Sequence, residues 1–466
     1  MLALRSLILA SLGLAGCADA DKGDPVDTAD TGEEQDALTR LRAVPGVTEV
    51  LEYDAPTPGT RFFVISFAQP VDHDDPDGAT FTQVLTLVHR GFLVPTVMDT
   101  RGYGGSYSGG DNELSALLRG NRLNVEHRYF GYSVPEEVDW DLLRVTQAAA
   151  DHHAIAEALR ALYVGPWVST GASKGGETAL FFRGLYPDDV EATVAYVAPI
   201  VQGVPDLGFL DFFDAVGEAG CREGLLALQR TLLEHKDALL PSLSAAAADA
   251  GLAFTRVGED YAFEVSVAEL AWTFWQYDGR CELLPADPSD PVAAFDWFIH
   301  SAGSPLGYDD GSVGYYGPYY YQSAVELGYP EVPHAAFDEL LTVDPSDLGP
   351  LLPSDEVPAY DPSAVEAATG RVAREGSEIL LIYGEVDPWS ARALALDGAT
   401  DSFSFTAPGA NHGANLAQLS AEDRAVAYDA LSRWTGVALE AGEAARVQAP
   451  VEWDREGGPR FDVTQP

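Results

Sequence analysis

The chain is short of positive charge, of sulfur and of long apolar runs, and each shortage removes a class of function. Lysine and arginine number 27 against 73 aspartates and glutamates in 466 residues, a formal net charge of −46. So acidic a surface repels phosphates, which argues against nucleic acid and anionic lipid as partners. It serves solubility where salt screens self-repulsion, or it attracts a cationic substrate. The 3 cysteines and 9 histidines are scattered without ligand spacing, so no metal set emerges and no cofactor is expected. No internal repeat breaks the sequence into an array.

What the chain does have is a globular composition, 46% hydrophobic and 10% aromatic, enough for a large core. Its length suits one large α/β domain with an insertion, or two to three ordinary domains. Residues 1–17 read as a lipoprotein signal peptide: Arg5 gives a positive start, and residues 6–13 are apolar but too short to span a bilayer. Leu14-Ala15-Gly16-Cys17 resembles a bacterial lipobox, in which Cys17 is lipidated; the alternative is an ordinary secretory signal containing a cysteine. Either reading takes the mature protein out of the cytoplasm, lipid-anchored to a membrane or cell surface or else secreted. In an oxidising compartment Cys221 and Cys281 are most simply a disulfide, the alternative being two buried thiols. Closing a loop of roughly 60 residues contributes about 4 kcal/mol in the chain-entropy model.

Residues 18–38 are acidic and poor in apolar side chains, and read as a disordered tether. Strand character follows at residues 61–67 and 82–89, joined by a turn at 72–78, and again at 95–99 and 122–128. Apolar residues at helical spacing predict one long helix over 139–162. Strands at 166–170 and 193–199 flank a helix at 176–183. Strand and helix alternate in a rhythm that implies a mostly parallel sheet with helices on both faces, spanning residues 39–204. From 205 to 353 the rhythm stops, and an aromatic-rich, helical segment reads as an inserted cap. The sheet resumes over 354–440, and 441–466 form a polar tail.

Chemistry concentrates at Gly171-Ala172-Ser173-Lys174-Gly175. A serine between strand and helix sits on a tight turn that exposes its oxygen above the sheet. A serine hydroxyl needs a base, and the base needs a carboxylate to orient it. In the α/β-hydrolase order of serine, acid, histidine, the one histidine after His334 is His412, in a glycine-flanked loop after the strand at 402–405. The strand at 378–384 runs into Glu385-Val386-Asp387-Pro388-Trp389, which nominates Asp387, with Glu385 as competitor. Backbone N–H groups of Lys174, Gly102 and Tyr103 are candidates for an oxyanion hole. The Lys174 side chain reads as solvated or ion-paired, and His152 and His153 as packing or surface residues.

Gly171-Ala172-Ser173-Lys174-Gly175-Gly176, Leu185-Tyr186-Pro187-Asp188-Asp189-Val190 and Ala195-Tyr196-Val197-Ala198-Pro199 resemble the secreted bacterial prolyl tri-/tetrapeptidyl aminopeptidases. Val71-Asp72-His73 and Val125-Glu126-His127-Arg128-Tyr129-Phe130 match as well. The prolyl carboxypeptidase and dipeptidyl peptidase group is similar more distantly. The resemblance implies an α/β-hydrolase sheet with a large, mainly helical cap, and a triad of Ser173, Asp387 and His412. It also implies a serine exopeptidase that releases tri- or tetrapeptides from N-termini, often after proline. Two departures concern the substrate: Glu177 stands where that family usually has methionine, and Ile200 where it has asparagine. Glu177 either anchors a substrate amine, shifts specificity or pairs with Lys174.

An aromatic-walled pocket suits a proline ring. Tyr319, Tyr320, Tyr321 and Trp389 are candidate walls, with ordinary cap packing as the alternative. Glu126, Glu177 or a cap carboxylate are candidates to receive the amine. Three functions compete: an exopeptidase acting on peptides, an esterase or lipase on the same scaffold, and a non-catalytic anchored binding protein.

Overall fold

The computed structural model describes residues 31–439. The signal peptide with Cys17, the first part of the tether and the tail at 441–466 lie outside the described residues.

Among the described residues nine strands form one sheet: β1 (Val47–Tyr53), β2 (Arg61–Pro70), β3 (Thr80–His89), β4 (Thr96–Thr100), β5 (Asn121–Val125), β6 (Trp167–Ala172), β7 (Ala192–Tyr196), β8 (Ile379–Gly384) and β9 (Phe403–Ala407). Their order is β1-β2-β3-β5-β4-β6-β7-β8-β9. The first three strands and the β3–β5 pair are antiparallel, and from β5 to β9 every pairing is parallel. Strands β4, β5, β7 and β8 are buried at every position, because helices cover both faces. Such strands read as continuous apolar or small-residue runs instead of alternating patterns.

The helices of the described residues are α1 (Thr31–Arg42), α2 (Glu113–Leu117), α3 (Val145–Arg160) and α4 (Lys174–Leu185), then seven in the cap after β7, α12 (Ser363–Glu375) leading into β8, and α13 (Ala421–Thr435) after β9. The seven are α5 (Leu210–Ala215), α6 (Ala219–Glu234), α7 (Lys236–Ala250), α8 (Glu259–Ala268), α9 (Leu270–Tyr277), α10 (Pro291–Ile299) and α11 (Asp310–Gln322). They share a core that includes Phe209, Leu228, Phe263, Trp272, Trp275 and Phe298. Separate clusters lie under the sheet's two faces, around Trp167 and Phe182 on one and Val194 and Tyr428 on the other. A disulfide joins Cys221 on α6 to Cys281, with Cα atoms 5.5 Å apart, and staples the cap to itself.

Two local expectations are corrected. The last part of the expected tether is helix α1, held because Ala37 and Leu41, one turn apart, are fully buried against the sheet. The helix expected over 139–162 begins only at Val145. Asp139 caps a short 3₁₀ turn, and Leu143 and Arg144 leave helical geometry (ψ 77° and 152°) before α3 starts.

Candidate active site

Ser173 stands between β6 and α4 with φ 56° and ψ −129°, a left-handed conformation rare for a side chain with a β-carbon. Holding it costs on the order of 1–3 kcal/mol, which the surrounding fold must offset. Its backbone N–H donates to the Tyr196 carbonyl at 2.9 Å, tying the turn to β7. Gly171 is required by close approach, since a Cβ there would lie 2.2 Å from the Gly175 carbonyl oxygen. The turn therefore presents the Ser173 hydroxyl at the C-terminal edge of the sheet, as a nucleophile elbow does.

In the loops after β8 and β9 lie the acid and the base. Asp387 caps the 3₁₀ turn Pro388–Arg392, accepting the Trp389 N–H at 3.2 Å through Oδ1. Its Oδ2 meets His412 Nδ1 at 2.7 Å, and both residues are almost completely buried. An imidazole that donates Nδ1–H to a carboxylate carries its lone pair on Nε2, the state a general base needs. Glu385 instead shapes the histidine loop, where its carboxylate accepts the Gly409 N–H at 2.7 Å. Ser173 and His412 line the same cavity, of about 790 Å³, between sheet and cap.

The loop after β4 closes over the elbow. The N–H groups of Gly104, Gly105 and Ser106 donate to Tyr315 Oη, Glu126 and Asn124 respectively. This pins Gly102 so tightly that a Cβ on it would lie 2.6 Å from Lys174 Cβ. Gly102, Tyr103 and Lys174 all line the cavity. The Lys174 N–H belongs to the first turn of α4, where no helical carbonyl can accept it. Donors so placed can stabilise an oxyanion.

Not every candidate reaches the cavity. Glu126 does not: its carboxylate ends β5 and accepts from the Gly105 N–H, Tyr132 N–H, Ser133 Oγ and Tyr107 Oη within 2.9 Å. It organises the loop and has no room for a ligand. Tyr321 also faces elsewhere, buried against Trp140 at 5.4 Å between ring centroids, because it lies on the side of α11 opposite the cleft. Tyr319, Tyr320 and Trp389 do line the cavity, joined by Tyr315, Tyr316 and Trp272.

Glu177 lines the cavity as well, but it shares its buried surroundings with Lys174. Burial raises the Glu177 carboxyl and lowers the Lys174 amine, and each partly counters the other's shift. Lys174 Nζ lies 3.3 Å from His127 Nε2 and faces the rings of Tyr103 and Phe130. The residue that the sequence leaves unnamed is Glu269, where α8 meets α9. It accepts from Tyr308 Oη at 2.7 Å and Tyr329 Oη at 3.3 Å. A carboxylate inside an aromatic-rich insertion is the available signal, and alone it points to no more than an unspecified cap carboxylate.

A sequence model of the PS-10 peptidase S37 family matches residues 32–453. The chain is 36% identical over 463 residues to a Streptomyces mobaraensis protein named prolyl tri/tetrapeptidyl aminopeptidase, covering 97% of this chain and 96% of that one. Solved structures similar to it include the proline iminopeptidase of Mycobacterium smegmatis, at 14% identity and TM-score 0.36, covering 79% of this chain and 98% of that one. Another is EstE1, a thermophilic carboxylesterase from a metagenomic library, at 14% identity and TM-score 0.32, covering 87% and 94%.

Proposed function

The chain belongs to the PS-10 peptidase S37 family and is a serine peptidase, and from that premise we propose that it releases tri- or tetrapeptides from free N-termini, favouring proline at the cleaved bond. One observation carries this reading. His412, held by Asp387, and the Ser173 elbow open into one cavity whose cap wall is rich in aromatic side chains. A volume of about 790 Å³ is that of a pocket for a small ligand. It suits a short peptide end better than a folded protein. Tyrosine and tryptophan faces pack well on a proline ring, which has few polar groups to satisfy.

The chemistry follows from the geometry. Ser173 Oγ attacks the scissile carbonyl carbon while His412 Nε2 takes its proton. Asp387 keeps the imidazole oriented and stabilises the imidazolium that forms. The tetrahedral oxyanion is held by the N–H groups of Lys174 and of Gly102 or Tyr103, donors already fixed before reaction. His412 returns the proton to the leaving amine, and the N-terminal peptide remains as an ester on Ser173. Water, deprotonated by the same histidine, releases it.

Location is part of the proposal: the mature chain is extracytoplasmic and lipid-anchored through Cys17. The lipobox-like sequence supports it, as does the Cys221–Cys281 bridge, which suits an oxidising compartment. Metabolic labelling with palmitate in the native host should mark the wild type and not Cys17→Ser; equal labelling of both would overturn the anchor.

Activity is tested by offering alanyl-alanyl-prolyl aryl amides beside short acyl esters and identifying products by mass. Release of the intact tripeptide is expected. Turnover of esters alone would replace the peptide reading with an esterase.

A further inference from the structure

An enzyme that counts residues from a free N-terminus must detect the terminal ammonium, and a buried carboxylate without a competing cation is the group that does this. Among the described residues five carboxylates line the cavity: Asp99, Asp111, Glu113, Glu177 and Glu269. Asp99 is taken by Arg122 at 2.8 Å and Asp111 by Arg90 at 2.6 Å. Glu113 is filled by the N–H groups of Leu416 and Ala417 and the hydroxyl of Tyr196, all within 3.1 Å. Glu177 shares a small buried space with the Lys174 side chain, whose positive charge favours the ionised carboxyl. Glu269 pairs with no cation among the described residues and accepts from two tyrosine hydroxyls, one donor fewer than Glu113.

We propose that Glu269 receives the N-terminal ammonium of the peptide substrate and is the residue that makes the enzyme an exopeptidase. The inference rests on the serine peptidase reading above and deepens it. Tyr308 and Tyr329 hold the carboxylate by donating to it, which leaves its remaining lone pairs for an N–H donor. Its neighbours include several tyrosines: Tyr308 and Tyr329 donate to it, and its charge helps to raise the hydroxyls of Tyr320, Tyr319 and Tyr261. Their rings attract a cation without neutralising the carboxylate. Burial pushes the Glu269 carboxyl up to about 7, so an ionised Glu269 lacks a counter-charge that an arriving ammonium supplies.

Position gives the proposal its consequence. Ser173 lies on the sheet and Glu269 on the cap, at the borders of one cavity. A peptide between them has its scissile carbonyl at one and its N-terminus at the other. The number of residues that fit the interval is the number released. An N-terminus blocked by an acetyl group brings no charge and meets the carboxylate with a carbonyl oxygen, which repels it.

The test uses the full chain and two substrates, alanyl-alanyl-prolyl-aminomethylcoumarin with a free amine and with an N-acetyl group. Wild type is expected to prefer the free amine, and Glu269→Gln to lose about 100-fold in kcat/KM on that substrate, chiefly through KM. Its preference for the free amine over the acetylated form should collapse. If Glu269→Gln fails to fold, judged by its melting transition, Glu269→Asp takes its place and should raise KM for the free amine while keeping the preference. Glu269→Gln, or Glu269→Asp where it takes that place, with wild-type KM and preference would overturn the assignment and leave the peptidase standing. Wild type that cleaves both substrates equally would instead sink the exopeptidase reading itself.

Discussion

The backbone N–H of His412 donates to the carbonyl of Gln276 at 3.1 Å, so the cap helix α9 holds the loop that carries the base. Trp272, one turn earlier on α9, packs against Trp389 at 4.9 Å and Phe209 at 5.1 Å, and Trp389 in turn lies beside His412. The cap is thus tied to the chemistry as well as to the substrate. Trp272→Ala should destabilise the fold by about 3–5 kcal/mol and lower kcat more than it raises KM. Steady-state kinetics together with a melting curve would check this. An unchanged kcat would show that α9 does not position His412.

Glu126 and its four donors give a second expectation. In Glu126→Gln one oxygen becomes an NH₂ group that faces N–H and O–H donors, leaving some of them unsatisfied. The loop carrying Gly102 and Tyr103 should shift, and kcat should fall about 10- to 100-fold with KM little changed. A substrate anchor would show the opposite split, so the two parameters decide the role.

Lys174 and Glu177 should behave as a unit. Lys174→Met alone leaves a buried carboxylate without its cation, and Glu177→Met alone leaves a buried ammonium. Each single change is expected to cost about 3 kcal/mol, and the double change less than their sum. Denaturant unfolding of the four proteins of the cycle measures the coupling. Additive losses would mean that the two charges do not interact.

Glu326 makes stability depend on pH in an uncommon direction. It accepts from Gln322 Nε2 and the Val145 N–H, yet burial pushes its carboxyl up to about 7 from an ordinary 4.5. Between those values the unfolded chain ionises while the folded one stays protonated. The folded state then binds more protons, and its stability falls as pH rises through the window. Each pK unit corresponds to about 1.4 kcal/mol. Glu326→Gln should therefore lose less in Tm than wild type on going from pH 5 to pH 8, as scanning calorimetry would show. Parallel losses in both proteins would contradict the assignment.

The elbow is legible in the sequence because its geometry demands particular residues: glycine where a Cβ would collide, and a buried strand before the serine. The neighbourhood of Asp387 and His412 is legible for a related reason, since adjacent parallel strands β8 and β9 bring the loops at their C-terminal ends together. Partners of carboxylates are not legible. Glu126 and Glu269 look alike in a sequence, and only the fold surrounds one with four donors and turns the other toward the cavity. Tyr321 misses the cleft by one residue: a step of about 100° on a helix takes it off the cleft face of α11. Helix α1 is hidden because its apolar stripe consists mainly of Ala37 and Leu41 in an acidic segment.

The most direct measurement is acid-quench mass spectrometry of the enzyme during turnover of an alanyl-alanyl-prolyl aryl amide. The expected result is an alanyl-alanyl-prolyl ester on the fragment that carries Ser173, absent from Ser173→Ala, which should also lose peptide release. Adduct on another residue, or sustained tripeptide release by Ser173→Ala, would contradict a Ser173 acyl-enzyme.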